Sequence, residues 1–572
     1  MKKLTKGMTA TVAMAASLTM LLAGCGGGGS TPANAANGTA TGNQPQNGGT
    51  VTIGQATKYN QLFIPDMDGS LYTANIVAAA YDPLLTIDKN LNFISDLAKT
   101  WSWSSDKKTL TITLADATWS DGKPITSDDV LFTLNYLGSA SYNGPLQGEY
   151  GYLVQPIVGS DKVVKNDTTS FADVGGFTKV DDKTFSLTFA TADAAVLWSD
   201  ISAIQPIPQH ALTGTVLKNW TTLAFDQKPT VVSGPFTFDT VNGEDSVIMK
   251  ANPTYFRGKP HLDQLIWKTV SADVAPGLLA NGNIDIMLNG LKPNDVDKLK
   301  QISNINIKTE PDMGYQYMGM KLYQKEFKDV RVRQALMYGI NRQALVTGLL
   351  KGYGEVLNGP LPSVSWAAAS TADGMTDYAY DPTKAGQLLD AAGWTKGSDG
   401  WRIDPVTGKT ANISLDYPLG NTVRMASAVA IKQDLAKIGL KIDLHSPMDF
   451  NSLSKKIEND DKSVYLWLMG WGLAADPDPR GIWGSNDAFN FPRWKDPTNE
   501  SLIKATYNTA AFDKTVRKQA LIKWQVYVNQ QVPYIFLYQD DLIFAVNKRV
   551  QIPTDDWNVF GPFNFQDWWV KQ

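Results

Sequence analysis

Residues 119–130 read Trp119-Ser120-Asp121-Gly122-Lys123-Pro124-Ile125-Thr126-Ser127-Asp128-Asp129-Val130. The second half of this stretch predicts a helix start. Thr126 is a capping residue, Asp129 stands three positions later, and Val130, Leu131 and Leu134 supply an apolar face. A carboxylate in the first turn also suits the positive end of a helix. On either side, Thr109-Leu110-Thr111-Ile112-Thr113-Leu114 and Thr184-Phe185-Ser186-Leu187-Thr188-Phe189 alternate with the period of a half-buried strand. Strand, helix, strand is the rhythm of an α/β protein.

The same rhythm continues toward the C-terminus. Asp381-Pro382 predicts an N-cap with proline in the first turn, Ala385, Leu388, Leu389 and Ala392 form one face, and Gly393 supplies the stop. Val423, Ala426, Ala430, Leu435 and Ile438 outline a second helix closed by Gly439, with a strand through Leu440, Ile442 and Leu444 directly after it. A last long helix is expected near Asp513 to Gln530, with Val516, Ala520, Trp524 and Val528 on its inner stripe. The chain has 572 residues, which favours two or three large units, and no solenoid repeat is present.

Composition narrows the chemistry. Hydrophobic residues make up 43% and charged residues 19%, ordinary for a packed protein, and the formal charge of -4 lacks the basic excess of a nucleic-acid binder. The one Cys excludes an internal disulfide framework, and three His argue against a His-built metal centre. Lys2, Lys3 and Lys6 precede an apolar run from Met8 to Ala23, the layout of a signal peptide. The run ends Leu22-Ala23-Gly24-Cys25, which looks like a bacterial lipobox with Cys25 as the acylated, palmitate-type anchor. Residues 1–24 are then a leader and 25–50, rich in Gly, Ser, Asn and Gln, a flexible tether. Gly24 to Gly29 formally fits G-x-G-x-x-G, but no strand precedes it and no helix follows, so the dinucleotide reading fails.

Catalytic patterns are missing. His210, His261 and His445 stand far apart, and the chain holds no H-E-x-x-H, G-x-S-x-G or complete phosphate loop. Asp476-Pro477-Asp478-Pro479 is the remaining pair of carboxylates, but no third metal ligand is evident. Trp467, Trp471, Trp483 and Trp494 crowd around it, and aromatic walls with one placed charge suit a recognition pocket better than an acid–base centre.

These segments together resemble the large solute-binding proteins of peptide ABC importers, the oligopeptide- and dipeptide-binding family 5. Residues 119–130 carry its most specific marker. Tyr81-Asp82-Pro83-Leu84-Leu85, Ser233-Gly234-Pro235-Phe236, Asn252 to Pro260, Phe327 to Leu336 and Gly470-Trp471 to Pro479 add to the match. Departures include Ser233 for a common Thr, Asn341 where an Asp often stands, and Met320-Lys321 for a usual Phe-Asn pair.

The resemblance implies a two-lobed periplasmic-binding-protein-like α/β fold of type II, its lobes joined by two crossing strands. Lobe I would take 51–310 and 540–572, with an extra subdomain at about 80–190, and lobe II 311–539. An extended peptide would lie between the lobes, its α-ammonium held by Asp476, with Asp478 as runner-up. Trp471, Gly470, Trp483, Tyr315 and Ser233 complete the expected ligand-binding set. The implied protein is a monomeric, non-enzymatic lipoprotein on the extracytoplasmic face of the cell membrane, without cofactor, metal or nucleic acid. It would serve an ABC permease with its cytoplasmic ATPase. A same-fold receptor for an oligosaccharide, or for a peptide signal, is the alternative.

Overall fold

The computed structural model describes residues 44–571, so the leader, Cys25 and most of the tether lie outside the described residues. The first strand, β1 (Thr50–Gln55), enters a large sheet at its middle. A separate four-stranded antiparallel sheet follows, built from β2 (Ala98–Trp103), β3 (Thr109–Leu114), β4 (Phe177–Lys179) and β5 (Thr184–Thr188). Between β3 and β4 runs α1 (Ser127–Gly138), capped by Thr126 as the spacing predicts. The Asp129 carboxylate accepts from Thr126 N at 2.9 Å, from Gln209 N at 3.0 Å and from Trp119 Nε1 at 3.3 Å. One buried acid thus fixes the helix start, the turn before it and a distant loop together.

The large sheet grows from β6 (Phe236–Asn242), β7 (Ser246–Ala251), β8 (Gln264–Thr269) and β9 (Ile286–Met287), with β8 and β9 parallel to β1 on its two sides. Then β10 (Ile305–Pro311) and β11 (Gly314–Met320) follow almost without a break, separated only by Asp312 and Met313. The chain next forms β12 (Gly354–Val356), α2 (Pro382–Ala391), β13 (Asn412–Asp416), α3 (Thr422–Lys437), β14 (Lys441–Leu444) and β15 (Leu466–Gly472). It ends with α4 (Lys514–Gln531) and the long β16 (Ile535–Asn547). The strands β13, β14 and β15 pair in parallel, whereas β11 runs antiparallel to β15.

The strand β16 is shared. Its first half pairs with β11 and β12, and its second half with β9 and β10. Burial along it is complete at both ends and partial only at Asp540, Asp541 and Leu542, where the two halves of the molecule meet. The cores divide at the same place. One core gathers residues from Val51 to Ile286 and again from Phe544 to Val570; two others gather residues between Tyr315 and Tyr538. A further small cluster, with Ile87, Leu91, Met313, Ala475 and Val559, packs where they touch. This is the two-lobed α/β architecture, with β10–β11 and β16 as its two crossing strands.

One expected helix face is corrected. Val516 is 44% exposed, and the inward positions of α4 belong to Arg517, Leu521, Trp524, Gln525 and Val528. A cation at 517 takes an inner place because a buried carboxylate waits for it.

Candidate functional site

Period-two alternation on β11 and β15 sorts their side chains onto two faces. Tyr315 and Tyr317 share one face with Trp467, Met469 and Trp471, while Gln316 and Met318 share the other with Gly470 and Leu468. On the aromatic face Trp471 stacks on Tyr317 at 6.1 Å and on Phe491 at 5.5 Å, and Trp483 packs edge-on to Trp524 and Tyr534. These rings are core. Tyr315 and Trp483, both in the expected ligand-binding set, are buried among them. Ser233, also in that set, is fully buried in the first half, and its Oγ accepts the Asp82 N–H at 2.8 Å. Gly470 is half-buried on the opposite face from Trp471, beside Arg424.

After β15 the chain turns into the proline-flanked acids. Both oxygens of Asp476 are taken by Arg517, Nη1–Oδ2 and Nη2–Oδ1 each at 2.6 Å. Burial pushes the Asp476 carboxyl up, and the guanidinium pulls it back. Asp478 instead accepts from Arg480 Nε at 2.8 Å; burial opposes its charge, but the guanidinium outweighs it and holds the carboxyl below its ordinary value. Arg480 also reaches Asp193 of the other half, Nη1–Oδ2 2.6 Å, and lies 4.2 Å over the Tyr507 ring. A main-chain bond from Ala194 N to Tyr507 O at 2.8 Å runs beside it. At this point the halves meet through one ion pair and one backbone hydrogen bond.

At the strand crossing a second polar group forms. Arg424 Nε donates to Gln316 Oε1 at 2.8 Å, and Gln316 Nε2 lies 3.5 Å from Asp540 Oδ1. Desolvation raises the Asp540 carboxyl, and desolvation plus the Asp540 charge push Asp312 up to about 8. Both acids are half-buried by area. Tyr152 behaves the same way: 40% of its surface is open, yet desolvation heads the causes that raise its phenol.

Sequence reasoning missed Arg424, Gln316, Asp312, Asp540 and the Asp193–Arg480 bridge. Only topology brings them together, although Asp540-Asp541 inside an apolar strand was a visible irregularity. Among the described residues no cluster of three or more His, Cys, Asp or Glu is arranged to hold a metal, and no helix is long and apolar enough to cross a membrane. His210 and His445 each face a single Asp, Asp121 and Asp416, at 2.8 and 2.9 Å.

The sequence profile of "Bacterial extracellular solute-binding proteins, family 5 Middle" matches residues 92–492. The oligopeptide-binding protein AppA of Bacillus subtilis is 26% identical over 570 residues, covering 97% of each chain. The dipeptide-binding protein of Escherichia coli is 27% identical over 80% of this chain and 83% of its own. Among solved structures, lactococcal OppA, complexed with an endogenous peptide in the closed conformation, superposes with a TM-score of 0.76 at 22% identity, over 91% of this chain and 99% of that one.

Proposed function

We propose, from the premise that the chain belongs to the bacterial extracellular solute-binding proteins of family 5, that it is the peptide-capturing receptor of an ABC importer. The observation that carries this reading is the charged, half-buried junction between two halves that share the strand β16. An extended peptide repeats N–H and C=O groups at fixed spacing, so main-chain pairing gives affinity that does not depend on side-chain identity. Closing the halves excludes bulk water and strengthens every polar contact inside. Lobe I then comprises 51–310 with 540–572, including an extra subdomain at about 80–190, and lobe II comprises 311–539.

The receptor is a lipoprotein held on the extracytoplasmic face by an acylated Cys25, with residues 26–50 as its tether, and it acts as a monomer. Binding is its whole activity; no bond of the ligand is broken. The oligosaccharide alternative drew on tryptophan planes, and Trp467, Trp471, Trp483 and Trp524 turn those planes into the core.

Native mass spectrometry of freshly purified protein, with fragmentation of whatever ligand leaves it, tests the reading. Release of peptides supports it, and release of a non-peptide solute, with no retention from a peptide pool, overturns it. Acyl mass on the N-terminal peptide, lost together with membrane retention in Cys25→Ala, tests the anchor.

A further inference from the structure

The tight turn Thr509–Phe512 joins the helix Pro497–Ala505 to α4. Short polar side chains fix both of its ends. Asn508 Oδ1 accepts from Ala510 N at 3.0 Å, and Asp513 Oδ1 accepts from Thr515 N at 2.8 Å as the cap of α4. One helical turn further on, Arg517 holds both Thr506 O and Asp476. A segment stiffened in this way presents Phe512 in one place.

Phe512 is only half-buried, and among the described residues it joins no apolar cluster of its own half. Its ring packs on the other half instead, edge-on to Trp103 at 5.1 Å, with Lys107 Nζ 5.5 Å from its centre. Trp103 ends β2 of the four-stranded sheet and is backed by Phe189 at 5.6 Å. Before Phe512, Tyr507 O accepts from Ala194 N at 2.8 Å. After it, Lys514 Nζ lies 5.3 Å from the centre of Trp366 and 3.5 Å from Asn92 Oδ1. Three successive contacts along residues 507–514 therefore reach the other half, and none of them uses β10, β11 or β16.

We propose that residues 507–514 are a clasp that holds the two halves together with or without ligand, with Phe512 as its hook and Trp103 as its catch. An aromatic ring that its own core does not use contributes little to folding and acts on the contact it makes. Opening about the crossing strands must first part these rings. The clasp raises the share of the closed form before ligand arrives, and it slows release without touching ligand. It would act on any solute between the halves, so it goes beyond the peptide reading and does not depend on it.

The test uses the full chain with Phe512→Ala, Phe512→Tyr, and Asn92→Ala combined with Lys514→Ala. Small-angle scattering reads the ligand-free proteins, and loss of a preloaded random pentapeptide pool reads release. Phe512→Ala should melt with the parent, enlarge the ligand-free particle and release the pool about threefold to tenfold faster, the range one aromatic pair supplies. Phe512→Tyr keeps the ring and should behave as the parent. The combined substitution changes two exposed side chains and should also enlarge the particle; it decides the matter if Phe512→Ala fails to fold. An unchanged particle in the deciding variant, or equal enlargement by Phe512→Tyr, overturns the clasp, and unchanged release overturns its part in retention. A parent that retains no pentapeptide overturns the peptide reading and leaves the clasp to the scattering result.

Discussion

Arg517 grips Asp476 with two parallel hydrogen bonds of 2.6 Å, and it also donates Nε to Thr506 O at 3.0 Å. The pair ties α4 to the segment after β15 with both side chains out of water. Removing one member of a buried pair strands the other, at a cost of about 3–5 kcal/mol. Asp476→Asn is therefore expected to lower the urea midpoint strongly in the absence of any ligand. An unchanged midpoint would show that the pair does not hold the ligand-free protein together.

The bridge from Asp193 to Arg480 is partly wetted, so its worth is smaller, about 1 kcal/mol. That is still about a fivefold change in the balance of closed and open forms. Arg480→Ala should enlarge the ligand-free particle in small-angle scattering, and Asp193→Asn should do the same. Asp478→Asn should do less, because Arg480 keeps Asp193. Identical scattering curves for all four proteins would remove the bridge from any role in closure.

Asp312 supplies a pH dependence. Its carboxyl ordinarily titrates at 3.8 and is pushed up to about 8 beside Asp540. A carboxyl that binds its proton more tightly when folded adds stability below its unfolded pKa, and that stability is lost as pH rises toward the folded one. Stability should fall between about pH 4 and pH 8, by on the order of 1 kcal/mol for a half-buried group. Asp312→Asn, which imitates the protonated form, should flatten that fall. A parent and variant with parallel pH–stability curves would disprove it.

Two glycines on paired strands should respond differently to the same change. A Cβ on Gly319 would lie 2.1–2.5 Å from the buried Trp467 indole, which cannot move without its neighbours. A Cβ on Gly470 would meet the tips of Arg424 and Gln316 at 2.7–2.8 Å, and long side chains swing aside. Gly319→Ala should cost about 1–3 kcal/mol. Gly470→Ala should cost less than about 1 kcal/mol and alter the polar group at the crossing instead. Thermal melts that rank the two variants in the opposite order would refute this account.

Local chemistry was the legible part. Thr126 with Asp129, and Asp381 followed by Pro382, mark helix starts within a few residues of sequence, and both form. Even a departure such as Asn341 keeps its local function, accepting from Ala344 N at 3.0 Å as a cap. What stayed hidden depends on distant partners. The inner place of Arg517 follows from an acid 41 residues away, so periodicity alone chose Val516. The crowd of tryptophans was visible, but whether their planes face ligand or core is decided by which face of β11 the second half packs upon. Lys321 is similar: it is buried because Ile457 O, Phe491 O and Asp460 receive its three donors. The expected switch near residue 540 falls inside β16, where Asp540-Asp541 interrupts an otherwise apolar run but no turn residue divides the strand.

The shared strand has a consequence for how the protein comes into being. The ribosome makes β16 after every other strand of the large sheet. Until residues 535–547 emerge, β9 and β10 on one side and β11 and β12 on the other lack their common neighbour. Neither half can finish early, so a nascent chain remains incompletely folded until synthesis is almost over. That is the state in which a polypeptide can still be threaded through an export channel, and a copy cut short before Ile535 yields two unfinished halves.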